Sequence, residues 1–413
     1  MKIRRFWPVL PILLAAFAVC ADGQQPALHE GDRVVFYGDS ITAQRLYTRF
    51  VEDIFLTRSP QMHVQFWNAG VPGDTVYGGY TGDMPTRLKR DVIPHQPTVV
   101  TILLGMNDGY YMDFNAKYLT VFTDGYRKLL GELESNAPKP RITLITSTPY
   151  DEVTHGTEFT NYNQTVSRYS DAVKDIASAS HFGLSDFNGA ESNLLQAGVQ
   201  RNPALAALLV PDHIHPAEAS HWVMAVALAR SWGVSPVVSS ARLDASKPGI
   251  MEARNTQITD IALTDGRLEW TQKDSALPLP LPLDDAMVQF VLSISDVAAM
   301  DQQLLRVDGL PAASYALLID GKKIASFTRE QLSTGVNLAL YATPMESQAR
   351  GVDGIELKRA RLDEAHFIVA IEDPKVANDA EAVRVLGEKD AALATEQRQA
   401  AQPQPHRFTL TPQ

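Results

Sequence analysis

Residues 34–43 read Val-Val-Phe-Tyr-Gly-Asp-Ser-Ile-Thr-Ala, and this stretch decides the fold. An apolar run of strand length stops at Gly38 and passes at once into Asp39-Ser40 and a helix start. A buried strand that hands over to a helix puts Ser40 at the strand's carboxyl end, the edge where open α/β sheets bind ligands. The helix start adds backbone N–H groups and the positive end of a dipole, which suit charge developing on a bound oxygen. Gly-Asp-Ser alone is a common tripeptide, and its serine serves equally well as a helix N-cap. A base, an orienting acid and oxyanion donors have to come from elsewhere in the chain.

Outward from this turn, runs at 34–37, 64–67, 98–104, 142–146 and 182–186 are rich in Val, Ile, Leu and Phe and read as buried strands. Helical patterns lie between them, such as Leu46, Phe50 and Ile54 at spacing four and the long stretch 117–133. Alternating strand and helix implies an α/β domain over 30–238 with a parallel sheet and helices on both faces, closed by a helix at 218–232. After Pro236 the texture changes. Leu277-Pro-Leu-Pro-Leu-Pro-Leu283 cannot be a helix and is a poor central strand, so an extended edge or linker is expected. Strand-like runs at 288–295, 304–307, 315–319 and 323–327 follow, the last two flanking the hairpin signal Asp320-Gly321. They predict a small antiparallel β unit at 245–330. Residues 331–413 read as a mostly helical extension, with 375–401 suited to an exposed amphipathic helix and Phe408-Thr-Leu410 to a short strand. No repeat of 20–50 residues is visible.

Composition sets the class. With 45% hydrophobic and 21% charged residues the chain is ordinary for a globular protein, and 413 residues suit two domains or one with an appendage. A formal charge of −11 argues against a nucleic-acid partner, which would need a basic face. Lys2, Arg4 and Arg5 precede an apolar stretch at 6–19 and the small residues around Cys20-Ala21. That is the layout of a secretory signal peptide over 1–21, predicting a periplasmic or extracellular protein with no membrane span after cleavage. Cys20, the only cysteine, leaves open a lipoprotein anchor, although Val19 is a poor residue to precede one. Either way no disulfide can hold the fold.

Three further clusters fall where the α/β pattern needs loops. Asn68-Ala69-Gly70-Val71-Pro72-Gly73-Asp74-Thr75 follows the second strand, and Gly70 could bring a bare backbone N–H close to a ligand. Gly105-Met106-Asn107-Asp108 follows the third, with the Asn107 carboxamide a neutral donor for a carbonyl oxygen gaining charge. Asp212-His213-Ile214-His215-Pro216 precedes the last helix of the domain. Asp212 and His215, three apart in a turn, allow the carboxylate to reach the imidazole Nδ1 and fix its tautomer. His215 is then oriented as a base, and Ser40 is the hydroxyl it would activate.

These four blocks, in this order, resemble the SGNH hydrolases, also called the GDSL-like esterase/lipase family, with Ile41 where the name expects leucine. The resemblance covers about half the chain. It implies a flavodoxin-like three-layer α/β sandwich, with Ser40 as nucleophile, His215 as base and then acid, and Asp212 as orienter. It implies an oxyanion hole made of the Ser40 and Gly70 N–H groups and the Asn107 side chain. No cofactor is implied. A zinc site could be drawn from His213, His215, His221 and Asp212, but it would leave the serine and asparagine blocks without a role.

Blander roles compete at each position. Asp39 is expected to support the turn and Asp108 to be structural. His213 rivals His215 as base but, adjacent to Asp212, points the wrong way. His221, inside a helix, is a packing or surface residue. Trp67, Tyr77, Tyr80, Tyr110 and Tyr111 are either a sugar-stacking platform or packing. The expected activity is hydrolysis of a carboxylic ester, most simply an acetyl or other short acyl ester of a carbohydrate, small or polysaccharide. The alternatives are a lysophospholipase or general carboxylesterase and, in a different class, an inactive carbohydrate-binding or envelope-scaffolding protein.

Overall fold

The computed structural model describes residues 28–135, 139–156, 161–372 and 380–413. The expected leader and Cys20 lie outside the described residues. The first sheet is made of β1 (Arg33–Gly38), β2 (Gln65–Gly70), β3 (Val99–Leu103), β4 (Arg141–Ile145) and β5 (Gly183–Ser185). All neighbours pair in parallel, in the order β2-β1-β3-β4-β5. Alternate residues of β1 enter different cores. Val34 and Phe36 pack with Tyr47, Phe50 and Trp222 on one face, while Val35 and Tyr37 pack with Tyr126, Leu129 and Tyr169 on the other. A strand buried on both sides reads as a near-continuous apolar run, as the opening stretch does.

The helices around this sheet are α1 (Leu46–Arg58), α2 (Ala116–Ser135), α3 (Tyr162–Ser180), α4 (Phe187–Arg201) and α5 (Glu218–Ser231). The strand order places the site. The chain leaves β1 for β2 on one side and returns to β3 on the other, so the connections diverge and open a crevice above β1 and β3. The turn after β1 carries Ser40, and the loop after β3 carries Asn107.

The second unit contains β6 (Val237–Asp244), β7 (Gly249–Arg254), β8 (Thr256–Thr264), β9 (Arg267–Asp274), α6 (Ala286–Ile294), β10 (Gln302–Asp308), β11 (Ser314–Ile319), β12 (Lys322–Thr328), α7 (Arg329–Thr334), β13 (Val336–Asn337), α8 (Pro344–Glu372), α9 (Ala380–Ala400) and β14 (His406–Pro412). One sheet is antiparallel with order β8-β9-β14-β11-β12. The other, β13-β10-β6-β7, contains the parallel pair β6–β10. Of residues 288–295, expected as strand, 288–294 lie in α6 instead. The Asp285 side chain caps it by accepting the N–H groups of Met287 and Val288 at 2.7 and 3.0 Å, a signal that outweighs the β-branched composition. The Pro-Leu stretch, expected as an extended edge or linker, pairs in no sheet and is buried from Leu277 to Leu281. Leu277 enters the core of the second unit while Leu279 and Leu281 enter the α/β core. The leucine N–H groups that the prolines lack find partners, Leu277 on the Thr57 carbonyl at 2.9 Å and Leu279 on the Asp301 carboxylate at 3.1 Å.

Helices α8 and α9 form a hairpin against α1, tied by Arg49 to Asp353 and by Arg359 to Glu52, Glu356 and Asp390. A cavity of about 710 Å³ between this hairpin, α1 and the β2 edge is lined by Phe36, Phe66 and Trp67 and by guanidinium–carboxylate pairs. Ser40, Asn107 and His215 do not line it.

Candidate active site

The turn after β1 is built by three residues. A Cβ on Gly38 would sit 2.2 Å from Thr42 Oγ1 and 2.7 Å from the Leu103 carbonyl oxygen, so only glycine fits against β3 there. The Asp39 carboxyl oxygen Oδ1 accepts the Ile41 N–H at 3.0 Å and caps the single helical turn Ser40–Ala43. Ser40 is thereby held at the crevice with its hydroxyl turned outward to His215, as the next contact requires.

His215 Nε2 lies 2.8 Å from Ser40 Oγ, and His215 Nδ1 lies 2.7 Å from Asp212 Oδ2. A carboxylate only accepts, so Nδ1 carries the proton and Nε2 is left to accept from the serine O–H. The other Asp212 oxygen accepts the N–H groups of Ile214 and His215 at 3.0 and 2.7 Å. Burial alone would raise the Asp212 carboxyl. Donation from the His215 backbone and side chain and from Ile214 outweighs it and holds the group below the usual carboxylate range. Asp212 therefore stays charged through neutral pH, where it orients His215 and would stabilise its imidazolium.

His213 is turned the other way. At φ +69° it places Nδ1 2.9 Å from the Asp151 carbonyl oxygen, and it stacks on Tyr150 at 5.2 Å. His221 is fully buried: Nδ1 accepts the Tyr47 N–H at 3.2 Å, and Nε2 sits 3.0 Å from the Pro216 carbonyl oxygen. Burial pushes its imidazole down to about 3, so it stays neutral and braces the helix after the His215 loop.

The oxyanion side differs in detail from expectation. Asn107 Nδ2 donates to the Asp74 carbonyl at 3.0 Å, and Asn107 Oδ1 accepts the Tyr111 O–H at 3.0 Å. The second Nδ2 hydrogen has no protein partner among the described residues. Gly70, expected to lend its N–H, spends it on Asn68 Oδ1 at 3.0 Å. A Cβ on Gly70 would meet the Ala43 nitrogen at 2.3 Å, so this glycine serves the close approach of β2 to the Ser40 turn. Further along the loop, Gly73 is exposed at φ +76° with open space around it, and its N–H has no partner among the described residues.

Sequence reasoning missed the support beneath this loop. Arg87 is completely buried and donates Nε to Asp74 Oδ2 at 2.7 Å and a second guanidinium N–H to the Ala69 carbonyl at 2.8 Å; it also pairs with Asp91. Arg87 thus fixes Asp74, the residue whose carbonyl receives Asn107. No local pattern marks an arginine thirteen positions downstream as buried. Asp108 is structural in its contacts, accepting the Val76 N–H at 2.9 Å, and burial pushes its carboxyl up to about 7. Asp39 is raised to about 8, by burial first, with Asp108 and Asp74 nearby adding to the effect.

The aromatic residues divide. Trp67 stacks on His95 at 4.6 Å beside the cavity under the hairpin, and Tyr111 turns inward to Asn107. Tyr77, Tyr80 and Tyr110 stand on the loops after β2 and β3, 44, 77 and 62% exposed. Among the described residues no group of three or more His, Cys, Asp or Glu side chains is placed to hold a metal ion, and no helix is long and apolar enough to cross a membrane.

Residues 36–223 match the GDSL-like lipase/acylhydrolase family, which makes this segment a GDSL-like acylhydrolase domain. An acetylxylan esterase of Geobacillus stearothermophilus is 28% identical over 222 residues, covering 49% of this chain and 94% of that protein. The chain is therefore an ester hydrolase. A gut microbial diltiazem-metabolizing enzyme of known structure shares the fold with TM-score 0.81 and 24% identity, covering 94% of this chain and 98% of its own. The solved Geobacillus acetylxylan esterase covers 50% of this chain and 96% of its own at 25% identity and TM-score 0.41.

Proposed function

We propose that this chain is a secreted serine esterase, built on a flavodoxin-like three-layer sandwich, that removes acetyl or other short acyl groups from carbohydrate through an acyl-enzyme. The single observation that carries the mechanism is the continuous chain of contacts from Asp212 through His215 to Ser40, at 2.7 and 2.8 Å. Ser40 Oγ attacks the ester carbonyl as its proton passes to His215 Nε2. The tetrahedral oxyanion is met by the Ser40 N–H, the spare Asn107 Nδ2–H and, in place of the engaged Gly70 N–H, that of Gly73. His215 then returns the proton to the departing alcohol, and water repeats both steps on the acyl-serine to release the acid.

Two observations favour a carbohydrate alcohol. The 28% identical relative is an acetylxylan esterase, and three tyrosines stand exposed on the loops around the crevice. Their flat, amphipathic rings suit the apolar faces of sugar rings. Secretion rests on the basic and apolar pattern of residues 1–21. The test is an acyl-chain series on soluble p-nitrophenyl esters, run beside acetylated xylan, with Ser40→Ala as the blank. The acetyl ester and the acetylated polymer should be preferred. A preference for long chains sinks the substrate assignment, and wild-type turnover by Ser40→Ala sinks the mechanism.

A further inference from the structure

A carboxamide presents two donors at one end and an acceptor at the other, so Asn107 helps an oxyanion only if its nitrogen faces the substrate. Two contacts set that orientation. Nδ2 donates to the Asp74 carbonyl and Oδ1 accepts from Tyr111 Oη, each at 3.0 Å. Turned by 180°, the amide would set Oδ1 against the Asp74 carbonyl and present an acceptor to a negatively charged oxygen.

The chain goes to some length to bring the phenol there. Tyr110 and Tyr111 both adopt left-handed backbone, at φ +53° and +57°, a conformation that bulky side chains disfavour. The Tyr111 ring is held by Tyr162 at 4.9 Å and Tyr150 at 6.4 Å between centroids, and the Tyr162 hydroxyl donates to the Met106 carbonyl beside Asn107. Tyr150 also stacks on His213, two residues before the base. One aromatic cluster thus spans the loop of the oxyanion donor and the loop of the base.

We propose that Tyr111 is a positioning residue for ester hydrolysis, locking the Asn107 carboxamide with its nitrogen towards the developing oxyanion. The proposal rests on the oxyanion role of Asn107 stated above. Burial pushes the Tyr111 phenol up to about 12, so it remains a donor across the working range of an esterase.

The test is a double-mutant cycle in the full chain, with p-nitrophenyl acetate as probe. Tyr111→Phe keeps the ring and its packing and removes only the O–H. It should lower kcat roughly tenfold and leave KM within about twofold, the mark of an interaction realised in the transition state. In an Asn107→Ala background the same substitution should have no further effect on kcat. Wild-type kcat in Tyr111→Phe beside a crippled Asn107→Ala overturns this inference alone. A Tyr111→Phe loss that persists in full without Asn107 also overturns it, because the hydroxyl then acts elsewhere. Wild-type kcat in Asn107→Ala overturns both this inference and the oxyanion reading beneath it.

Discussion

Replacing Asp212 by asparagine should be more damaging than the loss of one charge implies, and the hydrogen bonds at that residue say why. Oδ1 accepts two backbone N–H groups, from Ile214 and His215, while Oδ2 faces His215 Nδ1. In Asp212→Asn the carboxamide can be placed two ways. Setting its NH2 at the backbone side would oppose donor to two donors, so the oxygen takes that side and the NH2 turns to Nδ1. Nδ1 must then accept, and the imidazole proton moves to Nε2, where it points at Ser40 Oγ. A base protonated on its working nitrogen cannot take the serine proton. The wrong tautomer of this kind costs about 10⁴ in kcat, or ~5.5 kcal/mol of transition-state stabilisation. Asp212→Ala removes the enforced tautomer along with the carboxylate, and the half-exposed site lets water accept from Nδ1, so it should retain more activity than the asparagine variant. The assay is kcat on p-nitrophenyl acetate for both variants, with circular dichroism to verify folding. Asp212→Asn keeping a tenth or more of wild-type kcat, or exceeding Asp212→Ala, would refute the tautomer argument.

Three other outcomes are expected. Asn107→Ala should lower kcat by about 10²–10³, or ~3–4 kcal/mol, with KM little changed in steady-state assays. A chain ending at residue 405 lacks β14, which lies between β9 and β11 and buries Phe408 and Leu410; it should fail to fold cooperatively, seen as insolubility or a split thermal transition. Asp39 has its folded pKa raised to about 8, so the fold keeps a proton that the unfolded chain releases near pH 4, and stability should fall as pH rises between these values. Asp39→Asn, which can still cap Ile41, should remove on the order of 4 kcal/mol of that decline in denaturant titrations from pH 5 to 9, whereas parallel curves for the two proteins would exclude it.

The parts of this protein that local sequence made legible are those whose physics is local. Five largely apolar runs became five parallel strands because a strand covered on both faces reads as a near-continuous apolar run. Asp212 and His215 meet because three residues in a turn bring a short carboxylate to Nδ1, a geometry that needs no tertiary information. Helix α6 departs from its strand-like run of Val, Phe, Leu and Ile because Asp285 caps it, a local signal visible in the sequence.

What stayed illegible depends on contacts across long chain separations. β14 joins its sheet more than 75 residues after β12, and no feature of its own residues says that it enters the centre and not the edge. Gly70 and Gly73 share one loop and look interchangeable in sequence. Only the fold shows that Gly70 is packed against the Thr42–Ala43 backbone with its N–H taken by Asn68, while Gly73 is exposed with open space around it. Tyr111 resembled any loop aromatic until the left-handed turn at 110–111 carried its hydroxyl back to Asn107. In each case the residue type was visible and its direction was not. Direction decides whether an N–H or an O–H meets a substrate oxygen, and it is set by packing partners that sequence distance conceals.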